Sequence, residues 1–265
     1  MIDLHCHLLP AIDDGAGDLA TSLAMARMAA ADGICIAACT PHIYPGLYDN
    51  DAAGIRAAIW NLQRQLDREG IALRLVEGAD AHVVPELLDG LRSRRIPTLA
   101  ASRYFLFEPP HHVAPPRLEE TAFQAMAAGY VPVVTHPERL SWIDTHYAVF
   151  QRMAHAGAWM QLTAGALTGR FGRKPQYWSE RMLDEGLVAI LATDAHDLTR
   201  RPPLLAEARS AAAKRLGEAE ATHLVQTRPR GIIDNLAPTA LPPLPQATPP
   251  KSSQGGFWRR LFPGA

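Results

Sequence analysis

Two histidines separated by a single residue open the chain in "MIDLHCHLLPAIDDG". Side chains two apart on a strand project to the same side, so His5 and His7 point together. The stretch from Pro10 to Gly15 reads as a turn that swings Asp13 or Asp14 back toward them. Imidazole nitrogens and carboxylate oxygens meeting at one point are what a borderline-to-hard divalent cation asks for. The same residue types recur downstream as His42 in "TPH", Asp80 and His82 in "VEGADAHV", and Glu108 in "FLFEPP". His136 in "VVTHPER" and the pair Asp194 and His196 in "ATDAH" complete the series. An H-x-H pair alone carries little information, whereas the ordered series carries much more.

The elements that must position these residues follow a regular rhythm. "DLATSLAMARMAAADG" places a helix-capping aspartate, Asp18, before an apolar face of Leu19, Leu23, Ala26 and Ala30, with Gly33 as the stop. Short β-like runs such as "ICIAACTPH", "LRLVEGADAH", "YFLFEPP", "VPVVTHPE", "AWMQLTAG" and "LVAILATDAH" each precede an Ala- or Leu-rich helical segment. With the opening run, that makes seven strand candidates, each followed by a helix candidate. Such alternation predicts an α/β fold with a parallel sheet, either open and doubly wound or closed as a barrel. Barrels of this class do their chemistry at the strand C-terminal ends. Every ligand-type residue named above falls at such an end, so the candidates share one rim.

Composition excludes several function classes. The chain has 265 residues, 48% of them hydrophobic, enough for a substantial core, and its net charge of −1 recruits no nucleic acid. Cys6, Cys35 and Cys39 are an odd count set in apolar runs, which points away from disulfides and toward a reducing cytoplasm. No secretory leader or membrane-length apolar run is expected. A cysteine nucleophile of the C-x5-R kind needs an arginine six residues on, where Cys6, Cys35 and Cys39 have Ile12, Pro41 and Pro45. From residue 236 to 265 proline, serine and glycine dominate, which reads as a disordered linker. Its terminal "FWRRLF" sets two basic residues between aromatics, a pattern that can touch an anionic membrane surface weakly or dock on a partner.

"DLHCHLLPAIDDG", "TPH", "FLFEPP", "VVTHPER" and "ATDAH", in this order, resemble the PHP family, named for polymerase and histidinol phosphatase domains. More narrowly, "DLHCHLLPAIDDG" and "THPER" are similar to the CpsB/CapC-type bacterial protein-tyrosine phosphatases of capsule and exopolysaccharide operons. The resemblance covers residues 1–235 as one domain and implies a distorted seven-stranded (β/α)7, TIM-like barrel carrying three metal ions. It implies a first metal on His5, His7, Asp194 and a third-strand carboxylate, a second on that carboxylate, Glu108 and His136, and a third on Asp14, His42 and His196. The family usually has glutamate at the bridging third-strand position, where this chain offers Asp80; Glu77 would face the other side of a regular strand. Arg139 and Arg201 match positions that hold phosphate, with Arg200 an alternative to the latter. Asp197 or a metal-bound water is the general acid, and the choice stays open.

Paired ions activate water and neutralise the oxygens of an in-line phosphoryl displacement, and guanidinium groups present a planar fork to phosphate. The resemblance favours manganese, with iron, cobalt and zinc compatible with nitrogen and oxygen donors. It implies a phosphotyrosine protein as substrate, an autophosphorylating bacterial tyrosine kinase of polysaccharide export, met in the cytoplasm or at the inner face of the membrane. The alternatives are the same chemistry on a small phosphomonoester such as histidinol phosphate, or a non-catalytic metal-binding regulator recruited by its tail. His82 reads as a rim residue or a ligand, and His111 and His112 on the Pro-rich loop face substrate or water.

Overall fold

Each site-bearing strand runs into the rim only because a helix returns the chain to the opposite end. The structure is a computed structural model that describes residues 1–245. Its strands are β1 (Ile2–Cys6), β2 (Ile36–Cys39), β3 (His42–Ile43), β4 (Arg74–Glu77), β5 (Asp80–His82), β6 (Tyr104–Glu108), β7 (Val131–Thr135), β8 (Trp159–Thr163) and β9 (Val188–Ala192). The main intervening helices are α1 (Leu19–Ala31), α2 (Ala52–Arg68), α3 (Leu87–Arg92), α4 (Leu118–Ala127), α5 (Ile143–His155), α6 (Ala164–Leu167), α7 (Arg173–Asp184) and α8 (Ala206–Leu216). Two short helices, α9 (Glu218–Thr222) and α10 (Arg228–Ile233), follow. Side-chain caps set the first two entries: Asp18 accepts from the Thr21 N–H at 2.8 Å and Asp51 from the Gly54 N–H at 2.8 Å. Gly33, at a φ of 90°, then turns the chain out of α1.

All strand pairs are parallel, but they form two sheets, β1-β2-β4 and β3-β5-β6-β7-β8-β9. This differs from the single seven-stranded ladder expected, because "ICIAACTPH" and "LRLVEGADAH" each break in two. Both breaks lie side by side. Pro41 has no N–H to continue the ladder, and Gly78 brings the second chain in close: a Cβ there would sit 2.9 Å from Thr40 Cγ2 and 3.0 Å from Leu99 Cδ2. Beyond the break the Asp80 N–H donates to the Pro41 carbonyl at 3.1 Å. The outer edges of the two sheets also approach one another. Cys6 bridges Ala195, the His7 N–H donates to Ala195 O at 2.9 Å, and the Asp194 N–H to His5 O at 2.8 Å.

Both faces of the strands are buried, as parallel sheets require. One apolar cluster joins Phe105, Phe107, Val134, Met160, Leu162 and Leu191 to the covering helices. The residues of opposite parity, among them Ile2, Leu4, Ile36, Ala38, Leu106, Val133 and Trp159, form a second cluster that Ile232 and Leu241 close. The closure revises the domain boundary expected at residue 235, because residues 236–245 pack on the domain. Tyr104 Oη donates to Leu236 O at 2.9 Å, and Arg228, fully buried, donates to Pro242 O at 3.0 Å and Pro243 O at 2.8 Å. A guanidinium out of water needs every donor matched, and the proline carbonyls of the supposed linker supply that, together with Glu220 at 2.6 Å. "FWRRLF" lies outside the described residues. No helix among the described residues is long and apolar enough to cross a membrane.

Candidate metal centre

The residues that sequence spacing assembled do meet at one rim. In β1 the register shifts between Asp3 and Cys6, an irregularity that re-aims side chains next to a site. His5 and His7 turn inward while Cys6 packs into the helix-side core. Register then pairs His42 with Asp80 and His82 with Glu108 on neighbouring strands. His136 and Asp194 follow β7 and β9 in the left-handed region, with φ of 36° and 50°. For residues other than glycine this costs on the order of 1–3 kcal/mol each and persists where the surroundings dictate it.

His5 Nε2 lies 3.2 Å from Asp80 Oδ2, 3.3 Å from Asp194 Oδ1 and 3.2 Å from His7 Nε2. Asp14 Oδ1 stands 3.4 Å from His42 Nε2 and 3.3 Å from His196 Nε2. Glu108 Oε2 is 3.1 Å from His42 Nδ1 and 2.9 Å from His82 Nε2, while His136 Nε2 is 4.0 Å from Asp80 Oδ2 and 3.9 Å from Glu108 Oε1. These atoms fall into overlapping groups of metal-binding size, His7/Asp14/His42/His196, His5/His7/Asp80, His5/His136/Asp194, His42/His82/Glu108 and Asp80/Glu108/His136. Asp80 belongs to two of them, one with His5 and His7 and one with Glu108 and His136, whereas Glu77 points to Arg56 at 3.4 Å.

The choice between the adjacent aspartates is resolved by geometry. Asp13 Oδ2 meets His7 Nδ1 at 2.7 Å and fixes the ring from behind, whereas Asp14 faces the two imidazoles of the cluster. Gly15 makes this fold-back fit: a Cβ on it would lie 2.3 Å from His7 O. Gln161 does for His5 what Asp13 does for His7, its Oε1 lying 3.0 Å from His5 Nδ1. Sequence reading missed Gln161, yet an amide at the inner parity of the buried strand WMQLT was a usable signal. It also missed Asp3, whose buried carboxylate takes the Thr193 hydroxyl at 2.5 Å and N–H at 3.0 Å, tying β1 to β9 below the rim.

A cation fits this donor set. Both Asp80 oxygens, Asp194 Oδ1 and His196 Nε2 are buried with no hydrogen-bond partner, and Glu108 is buried beside them. So many carboxylates in one dry space need positive charge. Burial lowers the His5 imidazole, but Asp80 and Asp194 outweigh it and push it up to about 9; for His42, Asp14 and Glu108 outweigh burial and push it up to about 12. A divalent ion bound among these groups would compete with protons for the same nitrogens. Both sulfur atoms nearest the rim, on Cys6 and Cys39, pack into the helix-side core, leaving nitrogen and oxygen donors.

Arg139 Nη1 and Arg201 Nη2 both donate to Asp194 Oδ2, Arg201 at 2.5 Å. Against burial, which would raise it, they and His5 hold the Asp194 carboxyl well below the usual range. Arg200 is exposed. Asp197, which shares the open general-acid assignment with a metal-bound water, is held by its own loop. Its Oδ1 accepts from the N–H groups of Thr199 at 2.7 Å, Arg200 at 2.6 Å and Arg201 at 3.3 Å. Against some burial, these bonds lower its pKa and brace the loop that presents Arg201.

A family model described as capsular polysaccharide synthesis, CpsB/CapC, matches residues 1–234. The chain belongs to the CpsB/CapC family. It is 37% identical over 201 residues to the tyrosine-protein phosphatase YwqE of Bacillus subtilis, covering 76% of this chain and 79% of that one. To the tyrosine-protein phosphatase CpsB of Streptococcus pneumoniae it is 26% identical over 238 residues, 88% of this chain and 98% of that one. A crystal structure from work on YwqE and CpsB as unique metal-dependent tyrosine phosphatases superposes with a TM-score of 0.88 at 33% identity, covering 94% of this chain and 100% of that one. The CpsB/CapC match stops at residue 234, one residue short of the segment that closes the inner core.

Proposed function

We propose that this chain is a metal-dependent protein-tyrosine phosphatase acting in the cytoplasm on an autophosphorylating tyrosine kinase of capsule or exopolysaccharide synthesis. The observation that carries it is the union of a buried carboxylate–imidazole cluster with two guanidinium groups turned onto the same carboxylate, Asp194. The names of the relatives add the phosphotyrosine substrate. We assign His5, His7, Asp194 and Asp80 to one ion, Asp80, Glu108 and His136 to a second, and Asp14, His42 and His196 to a third. Manganese suits these nitrogen and oxygen donors. The edge contacts between β1 and the segment after β9 support reading the two sheets as one distorted seven-stranded barrel.

When bound, the ions supply a nucleophilic water at neutral pH and draw charge from the phosphoryl oxygens. The protein's own residues do the rest. Arg139 and Arg201 present forks to the phosphoryl group, and Asp13 and Gln161 lock His7 and His5 with their Nε2 atoms facing the cluster. A tyrosine oxygen, with a pKa near 10, leaves with modest protonic help.

The test is turnover of a phosphotyrosine peptide and of histidinol phosphate by protein stripped of metal and resupplied with manganese, before and after thiol alkylation. Metal-dependent preference for the peptide, indifferent to alkylation, is expected. Preference for histidinol phosphate would overturn the substrate assignment, and absence of turnover with any metal would leave the regulator reading.

A further inference from the structure

The loop after β6 carries a histidine that the cluster does not use. Its backbone is pinned: the Trp142 indole N–H donates to Pro110 O at 2.9 Å, and Ser141 donates to His111 O through its N–H at 3.1 Å and its hydroxyl at 3.2 Å. Both ring nitrogens of His111 are buried with no hydrogen-bond partner. The ring lies 6.1 Å from that of His136 and close enough to Arg139, Arg201 and Glu108 to feel their charges. Its neighbour His112 is exposed.

Two ordinary explanations fail. A histidine that only faced water would have its ring nitrogens in water. A metal ligand would share a donor group with the carboxylates, and His111 belongs to none of the five groups. Buried, unpartnered polar atoms cost free energy unless something arrives to satisfy them. What arrives between Arg139 and Arg201 is, on the phosphatase reading, a tetrahedral oxyanion.

We infer that His111 is a phosphoryl-contacting residue that donates a hydrogen bond to a non-bridging oxygen of the substrate from the side of the site formed by the 109–117 loop. The inference rests on the proposed phosphatase function and extends its oxyanion site from two arginines to two arginines and an imidazole. Burial and the cationic neighbours Arg139, His112 and Arg201 lower the ring's pKa to about 4. It is therefore neutral at physiological pH, with one N–H to give.

The experiment uses the full manganese-loaded chain with inorganic phosphate as probe, read by calorimetry and as competitive inhibition of aryl phosphate hydrolysis. His111→Phe keeps ring volume and removes the donor, His111→Gln keeps a donor, and His112→Ala controls for the loop. The expected result is phosphate affinity reduced about tenfold or more in His111→Phe, partly restored in His111→Gln and unchanged in His112→Ala, at constant metal content. Unchanged affinity in His111→Phe, or affinity lost together with bound metal, would overturn the inference. Wild-type protein that neither binds phosphate nor hydrolyses the aryl ester would overturn the phosphatase reading along with it.

Discussion

Gly15→Ala adds one methyl group at the point where the Asp13–Asp14 loop folds back on β1. The new Cβ would lie 2.3 Å from His7 O, 2.5 Å from His7 Cβ and 3.0 Å from Asp13 Oδ1, whereas ordinary contact begins at 3.4 Å. The first two obstacles are backbone and backbone-anchored, so the loop must retreat by about 1 Å. That breaks the 2.7 Å Asp13–His7 contact and draws Asp14 away from His42 and His196. Overpacking of this kind costs about 1–3 kcal/mol, and loss of a charge-assisted hydrogen bond adds about 1.5 kcal/mol. At roughly 2–4 °C per kcal/mol for a domain of this size, melting should fall by roughly 5–18 °C. Calorimetry of metal-stripped protein isolates this steric part. Metal titration should separately show affinity at the Asp14/His42/His196 group weakened by about 10–100-fold, the usual effect of losing an outer partner. A variant with wild-type melting and wild-type metal content would refute the claim that the fold-back positions these ligands.

Four further outcomes follow from the same geometry. His136→Ala should nearly abolish turnover and lower the metal content; normal rate with full metal would remove His136 from the ligand set. Asp197→Asn, which keeps an acceptor for the loop N–H groups, should hold the rate within a few-fold, while Asp197→Ala raises the Michaelis constant through Arg201; a collapse in Asp197→Asn would assign it the proton-donor role. Truncation after residue 235 uncovers Leu241's contacts and leaves Arg228 without the Pro242 and Pro243 carbonyls. It should cost roughly 3–6 kcal/mol in denaturant unfolding; an unchanged unfolding midpoint would show that the segment does not close the core. At Glu185, burial is outweighed by hydrogen bonds from Arg181, Tyr147 and Gln151, so its folded pKa lies below the ordinary value. The stability it contributes is present above the unfolded-state carboxyl pKa and lost as pH falls through the folded one, so a Glu185→Ala deficit on the order of 1 kcal/mol should shrink on acidification. A deficit constant down to acid pH would contradict the pairing.

The rim was legible because strand periodicity and end-of-strand position are local properties. His5, His7, Glu108, His136, Asp194 and His196 needed only a strand and the few residues at or just past its end. Where several strands cross, sequence spacing lost its hold. Nothing local distinguishes Asp13 from Asp14, since the division depends on which oxygen meets His7 after the loop closes on Gly15. The breaks at Pro41 and Gly78 escaped because each depends on the other strand's approach, and composition alone cast residues 236–245 as linker although prolines satisfy a buried arginine through their carbonyls. The bonds that Asp197 accepts escaped for a related reason: an aspartate near a catalytic motif shows nothing of its backbone partners until the loop is folded.

The contact between Asp3 and Thr193 joins residues 190 apart in the chain, and the inner core closes only with Leu241. During synthesis, therefore, the first strand emerges long before its second neighbour exists, and its His5 and His7 wait beside unpaired backbone until the chain is nearly complete. Such long-range closure slows folding and exposes apolar surface meanwhile. A nascent chain that captured a cation early on His5 and His7 alone would still lack Asp194, so ion loading and the last step of folding belong to the same moment.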